Sequence, residues 1–119
     1  MITELKNNQI FVFGSNLAGK HIGGAAKQAK DKFGAIEGQG EGLQGQSYAF
    51  PTLTKTFMQR YDLAMQISAT KLFNCCEENL NKEFILTPIG TGIAGYSIQY
   101  MKSLFENPPK NLILPKEFK

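Results

Sequence analysis

Residues 90–96 spell Gly-Thr-Gly-Ile-Ala-Gly-Tyr, directly after the apolar run EFILTPI of residues 83–89. Gly90, Gly92 and Gly95 leave the main chain bare, with Thr91, Ile93 and Ala94 between them. A strand-to-helix loop of this kind presents several backbone N–H groups and a helix N-terminus. Both attract a phosphate. The chemistry implied is the gripping of an anion. The same letters fit the Gly-x-Gly-x-x-Gly of dinucleotide-binding folds. Such a site needs an acid about 20 residues further on, at the end of a following strand. Glu117 lies near that distance, but only one strand follows the loop. The dinucleotide assignment is rejected.

A second glycine loop lies near the start. Gly14, then Gly19-Lys20-His21 five residues on, follows a strand-like run and precedes a helix-like one. It matches a P-loop except that His21 stands where Ser or Thr would bind magnesium. Imidazole is a poor magnesium ligand, and the run Phe84-Ile85-Leu86 passes into Thr87 and Pro88 with no metal-binding acid. A degenerate P-loop nucleotide binder is therefore an alternative reading only. His21, Glu41 and Lys20 are the candidates for acid–base work. His21 is the single histidine, and imidazole suits proton transfer near neutral pH. No Ser-His-Asp set, no HExxH and no metal-ligand cluster is present. No metal and no cofactor is expected.

Those loops need elements to hold them. Residues 9–13 (QIFVF) read as a buried strand, and residues 24–33 as a helix stopped by Gly34. Residues 35–46 form a long Gly/Gln loop, and residues 47–50 (SYAF) a short strand closed by Pro51. Thr56 and Gln59 fit a capping box. From there Phe57, Tyr61, Ala64, Met65, Ser68, Leu72 and Cys75 share one helical face, so a long helix is expected from Phe57 to about Asn79. Residues 83–89 read as a strand. Residues 97–106 read as a helix burying Ile98, Met101, Leu104 and Phe105, and residues 111–115 as a last strand. Strands alternating with helices imply an α/β fold, a mostly parallel sheet covered by helices.

Nine of the 12 glycines fall between Gly14 and Gly45. Either the backbone there is shaped around something small, or the glycines mark tight turns. The length of 119 residues fits one domain spanning 1–119. Hydrophobic residues at 42% and charged residues at 19% exclude a disordered chain. No apolar run is long enough to span a bilayer, so no membrane partner is expected, and MITELKNNQ does not read as a signal peptide. The net charge of +3 is mild and its lysines are scattered, which argues against a nucleic-acid partner. Cys75 and Cys76 are adjacent and suit no ordinary disulfide. A reducing, cytoplasmic setting is expected.

Four segments together resemble the macro domain superfamily, whose members bind ADP-ribose and its derivatives. Val12-Phe13-Gly14-Ser15-Asn16 is similar to the strand-to-loop segment that ends in a functional asparagine. Gly23-Gly24-Ala25-Ala26 resembles the G-G-G-V-A that opens the next helix. Gln46 to Thr52 sits where the family has a short strand ending in threonine. Ile89 to Tyr96 resembles the S-T-G-I-Y-G-Y loop that grips the diphosphate. The four occur in the family's order between residues 10 and about 105. The resemblance implies a three-layer α/β/α macro-like fold. It implies binding of ADP-ribose or a derived metabolite, with hydrolysis of an ADP-ribosyl ester or of ADP-ribose 1″-phosphate, or else a reader that does not turn its ligand over. An ADP-ribosylated protein is then a further partner.

The same resemblance implies that residues 90–96 hold the pyrophosphate, with Tyr96 flanking the distal ribose. Asn16 would bond the ribose hydroxyls and orient water. Gly14, Ser15, Gly23, Gly24 and Ala25 would line the other side. The family's aspartate near the chain start has no counterpart here: residues 4–8 read Glu-Leu-Lys-Asn-Asn, with Glu4 the acid in that region.

Overall fold

The computed structural model describes residues 3–119. The first strand, β1, is Gln9–Asn16. Its apolar residues alternate between two faces. Ile10 and Val12 join one buried cluster, and Phe11 and Phe13 join another. A strand apolar on both faces must be central, covered above and below. It has β3 (Ser47–Leu53) on one side and β4 (Glu83–Leu86) on the other, both parallel to it. Outside these lie β2 (Gly42–Gln44), antiparallel to β3, and β5 (Leu112–Ile113), parallel to β4. The sheet order is β2-β3-β1-β4-β5.

That order dictates the layers. The chain crosses from β1 to β3, returns past β1 to β4, then moves on to β5. Crossovers of parallel strands are right-handed. The first therefore places α1 (Gly24–Lys32) on one face. The next two place α2 (Asp62–Glu78) and α3 (Ile98–Leu104) on the other. The result is the expected α/β fold, three layers with a mostly parallel sheet. On the two-helix face Met65, Leu72, Met101 and Phe105 pack on Val12, Phe50 and Phe84. Phe118, in the closing 3₁₀ turn Lys116–Phe118, stacks on Phe105 at 5.8 Å. On the other face Ala26 and Ala29 bring α1 close to Phe11, Phe13 and Ala49. One helix does not cover the whole face. Phe11, Ile85 and Ile113 form an in-register row across three strands, and Ile113 is 38% exposed. No helix among the described residues is long and apolar enough to cross a membrane.

Several boundaries differ from expectation. The β1 strand runs on to Asn16, three residues past Phe13. Pro51 does not close β3. It follows Ser47 and Ala49 in the alternation whose partners lie on β2, and β2 ends opposite Ala49. Its missing N–H leaves no ladder bond unmade. The Gly/Gln loop contains β2, turned back on β3 at Gly45, φ +58°. The α2 helix starts at Asp62. The capping box does not form: Thr56 Oγ1 pairs with Thr54 Oγ1 (3.2 Å), Gln59 Nε2 reaches across to Ala94 O (2.8 Å), and Phe57 between them adopts φ +66°. Tyr61 is 88% exposed, and Cys76 is the fully buried thiol, with Cys75 half-buried. The β4 strand ends at Leu86 and β5 has two residues. Ile98 is half-exposed rather than buried.

Candidate functional site

The carboxyl ends of β1, β3 and β4 open onto a hollow of about 620 Å³. Open parallel sheets bind ligands at this edge, where loops diverge. Gly14, Ser15 and Asn16 form its base. Gly23, Gly24 and Ala25, at the start of α1, form one wall. Gly90, Gly92, Ile93 and Ala94 form the facing wall. Lys20, Ile22 and Phe57 stand at the mouth. Thr91, Gly95, Tyr96 and His21 do not line it.

The facing wall is a loop with its amides left over. Gly95 N–H donates to Gly92 O (3.0 Å) and Tyr96 N–H to Gly90 O (2.9 Å), which closes the turn. The amides of residues 90–94 make no hydrogen bond among the described residues. Opposite them, α1 begins at Gly23 with no side-chain cap and no acid in its first turn. Its first amides are therefore also unspent. Both walls offer N–H groups and a partial positive charge to an anion.

The glycines divide into two kinds. A Cβ on Gly40 would lie 2.3 Å from Asn16 O, one on Gly19 2.3 Å from Gly38 C, and one on Gly45 2.7 Å from Gly34 Cα. These glycines let residues 34–45 press backbone on backbone beneath the β1–α1 connection. They serve turns and packing, and none of residues 34–45 lines the hollow. By contrast a Cβ on Gly23, Gly24 or Gly92 would meet nothing within 4 Å. At Gly23 and Gly92 the backbone is also one that any residue adopts; Gly24 has φ +56°. At Gly23 and Gly92 packing does not require the bareness, whereas at Gly90, in the same wall as Gly92, a Cβ would lie 2.7 Å from Met101 Sδ.

The hollow's polar side chains are already engaged. Asn16 Nδ2 donates to Lys20 O (3.0 Å), and Asn16 Oδ1 accepts from Lys20 N–H (3.1 Å). Its amide group thus shapes the turn after β1. Ser15 Oγ donates to Gly40 O, Thr52 Oγ1 to Ser15 O and Thr87 Oγ1 to Val12 O. Among the described residues Lys20 is the one titratable side chain in the lining, its Nζ 5.8 Å from the Phe57 ring centroid. The amides of Leu17, Gly19, Lys20 and His21 all donate within the fold, so the first glycine loop does not form an open nest.

His21 is 1% exposed, edge-on to Phe13, with Nε2 3.1 Å from Gln39 O. Its Nδ1 has no partner among the described residues. It fastens the Gly/Gln segment rather than facing the hollow. Its amide donates to Glu37, and that bond is the main cause holding the Glu37 carboxyl below its ordinary range. Glu41 accepts from Ser68 Oγ (2.6 Å), also away from the hollow. Tyr96 braces the amide loop from behind. Its hydroxyl donates to Thr52 O and accepts from Arg60 N–H, both at 2.8 Å, and its ring stacks on Tyr100. Gln59 Nε2 ties in Ala94 O at 2.8 Å. Thr91 Oγ1 donates to Pro88 O (2.8 Å). No group of three or more His, Cys, Asp or Glu that could hold a metal occurs among the described residues.

A second hollow, of about 670 Å³, adjoins the first. The two share Gly24, Ala25, Thr87 and Pro88. It is an apolar trough along the row Phe11, Ile85 and Ile113, in which Phe11 is buried, Ile85 is partly exposed and Ile113 is the exposed end, with Leu114 and Pro115 at the rim. Sequence reading missed it because it treated Ile85 and Ile113 as strand core. The signal was the helix count, with too few helices for both faces. Against models of protein families, curated proteins and solved structures, the chain finds no match.

Proposed function

We propose that this protein binds ADP-ribose or an ADP-ribose-derived metabolite. The diphosphate lies between the amides of residues 90–94 and the start of α1, and the nucleoside lies in the adjoining trough. The observation that carries this reading is a hollow of about 620 Å³ with a loop whose amides have no partner among the described residues on one side and the bare, uncapped start of α1 on the other. The four-part resemblance to macro domains, carried by segments that line the same hollow, agrees with it. The trough supplies what a nucleobase needs, an apolar floor continuous with the anion site.

Binding without turnover is the form the lining favours. No carboxylate and no imidazole faces the hollow among the described residues. Asn16 is spent on the Lys20 main chain. Hydrolysis of an ADP-ribosyl ester or of ADP-ribose 1″-phosphate is the second reading. It would need the ligand's own phosphate as the base. An ADP-ribosylated protein is the natural macromolecular partner of such a module. Two free thiols fit a cytoplasmic setting.

Titration calorimetry with ADP-ribose, followed by analysis of the same mixture for products, tests the reading. Saturable 1:1 binding with no product is the expected result. Absence of binding to ADP-ribose, at concentrations where the protein is folded, overturns it.

A further inference from the structure

We propose, on the reading above, that the trough accepts the nucleobase by shape alone, so that the site selects a nucleoside diphosphate without selecting adenine. Discriminating one base from another takes a desolvated donor or acceptor that the wrong base leaves unpaired. The side chains of the trough's floor have none: Phe11, Ile85 and Ile113 are apolar. Ala25 and Pro88 continue the apolar surface at the junction with the anion site, and Leu114 does so at the rim. Pro115 has no N–H to offer.

The polar side chains around it are unsuited to reading a base edge. Thr87 Oγ1 is donated to Val12 O at 2.8 Å. Gln28 is itself engaged, and Thr3 is exposed. The trough's carboxylate, Asp31, is 51% exposed and held by Lys27 Nζ at 2.5 Å. Water replaces an exposed partner at little cost, so such a group discriminates weakly. Lys27 and Lys32 are flexible point charges without directional pattern. What remains is contact with a flat ring, which every base provides.

The test is titration calorimetry with ADP, GDP, IDP, UDP, CDP and inorganic pyrophosphate, with ADP-ribose alongside. The purine diphosphates are expected within about threefold of one another, and the pyrimidine ones weaker by less than about tenfold because one ring buries less surface. All are expected to bind at least about tenfold more tightly than pyrophosphate. Ile113→Lys puts a charge on the floor at a position already 38% exposed. It is expected to remove the advantage over pyrophosphate, read as the ratio of the two affinities within the same variant, since the added charge acts on both anions alike. Leu114→Lys repeats the test from the rim if the first variant disturbs the sheet edge. A tenfold or greater preference for ADP over GDP or IDP overturns the proposal. So does an undiminished nucleoside advantage in both lysine variants. If ADP-ribose and pyrophosphate both fail to bind, the anion site itself is refuted. If they bind and adenine is selected, only the inference about the base falls.

Discussion

Gly92→Val separates a glycine kept for a ligand from one kept for the fold. A Cβ at Gly92 meets nothing within 4 Å, and its φ lies outside the left-handed region. The Gly95 N–H to Gly92 O bond does not involve the side chain. Folding stability should therefore change by no more than about 0.5 kcal/mol, as at an ordinary surface position. The isopropyl group nevertheless stands where an anion must come within hydrogen-bond reach of the amides. A hydrogen bond to a charged group contributes about 1.5–3 kcal/mol, so losing one weakens binding by about 10- to 150-fold. Gly90→Ala is the opposite case. Its Cβ would sit 2.7 Å from Sδ of the fully buried Met101, at φ +78°. That variant should lose about 1–3 kcal/mol of stability from overpacking and backbone strain. Calorimetry with ADP-ribose and urea denaturation of both variants give the four numbers needed. If Gly92→Val binds as tightly as the parent, the anion does not lie on these amides. If it unfolds as readily as Gly90→Ala, the division of the glycines is wrong.

Three further outcomes are expected. Tyr96→Phe removes a hydroxyl that bridges Thr52 O and Arg60 N–H; urea denaturation should show a loss of about 1–3 kcal/mol, with ADP-ribose affinity reduced because the amide loop loses its brace. ADP-ribose affinity measured with a chelator present should equal that without it, since amides rather than a cation hold the diphosphate; a drop would favour the P-loop-like alternative. Burial first, then repulsion from Cys75 and Glu77, pushes the Cys76 thiol up to about 12 from an ordinary 9.0. The unfolded thiol ionises first. Its contribution to stability is therefore complete below pH 9 and declines as the pH rises towards 12, with Tyr48, also raised by burial, adding to the decline. Denaturation midpoints across that range should fall, and less steeply in Cys76→Ala.

Much of the layer structure was legible because its physics is local. The unbroken β-branched and aromatic run of residues 10–13 marked a buried strand, and the 3.6-residue spacing of Met65, Ser68, Leu72 marked a buried helix face. The start of α2 was not legible. Phe57 and Tyr61 extend the apolar spacing backwards, yet the chain spends them on a turn at φ +66° and an exposed cap. The β2 strand was hidden because Gly42-Leu43-Gln44 has no alternation of its own and is defined by pairing with Tyr48. Strand order, which leaves Ile85 and Ile113 uncovered, is a long-range fact. At the site, residues 23–25 and 90–94 were legible as bare backbone. The residues that were not separable by type are the glycines themselves. Gly40, jammed against Asn16 O, and Gly92, facing open space, are the same letter. His21 was drawn towards catalysis by its chemistry, while its burial against Phe13 depends on contacts 8 residues back and 18 residues on.

The central claim concerns particular amides, and amide-resolved NMR reads them directly. On titration with ADP-ribose, the N–H signals of Gly90, Thr91, Gly92, Ile93, Ala94 and the first turn of α1 should move most, while those of Gly38, Gly42 and Gly45 stay in place. Saturating shifts confined to other segments, with residues 90–94 unmoved, would contradict the account.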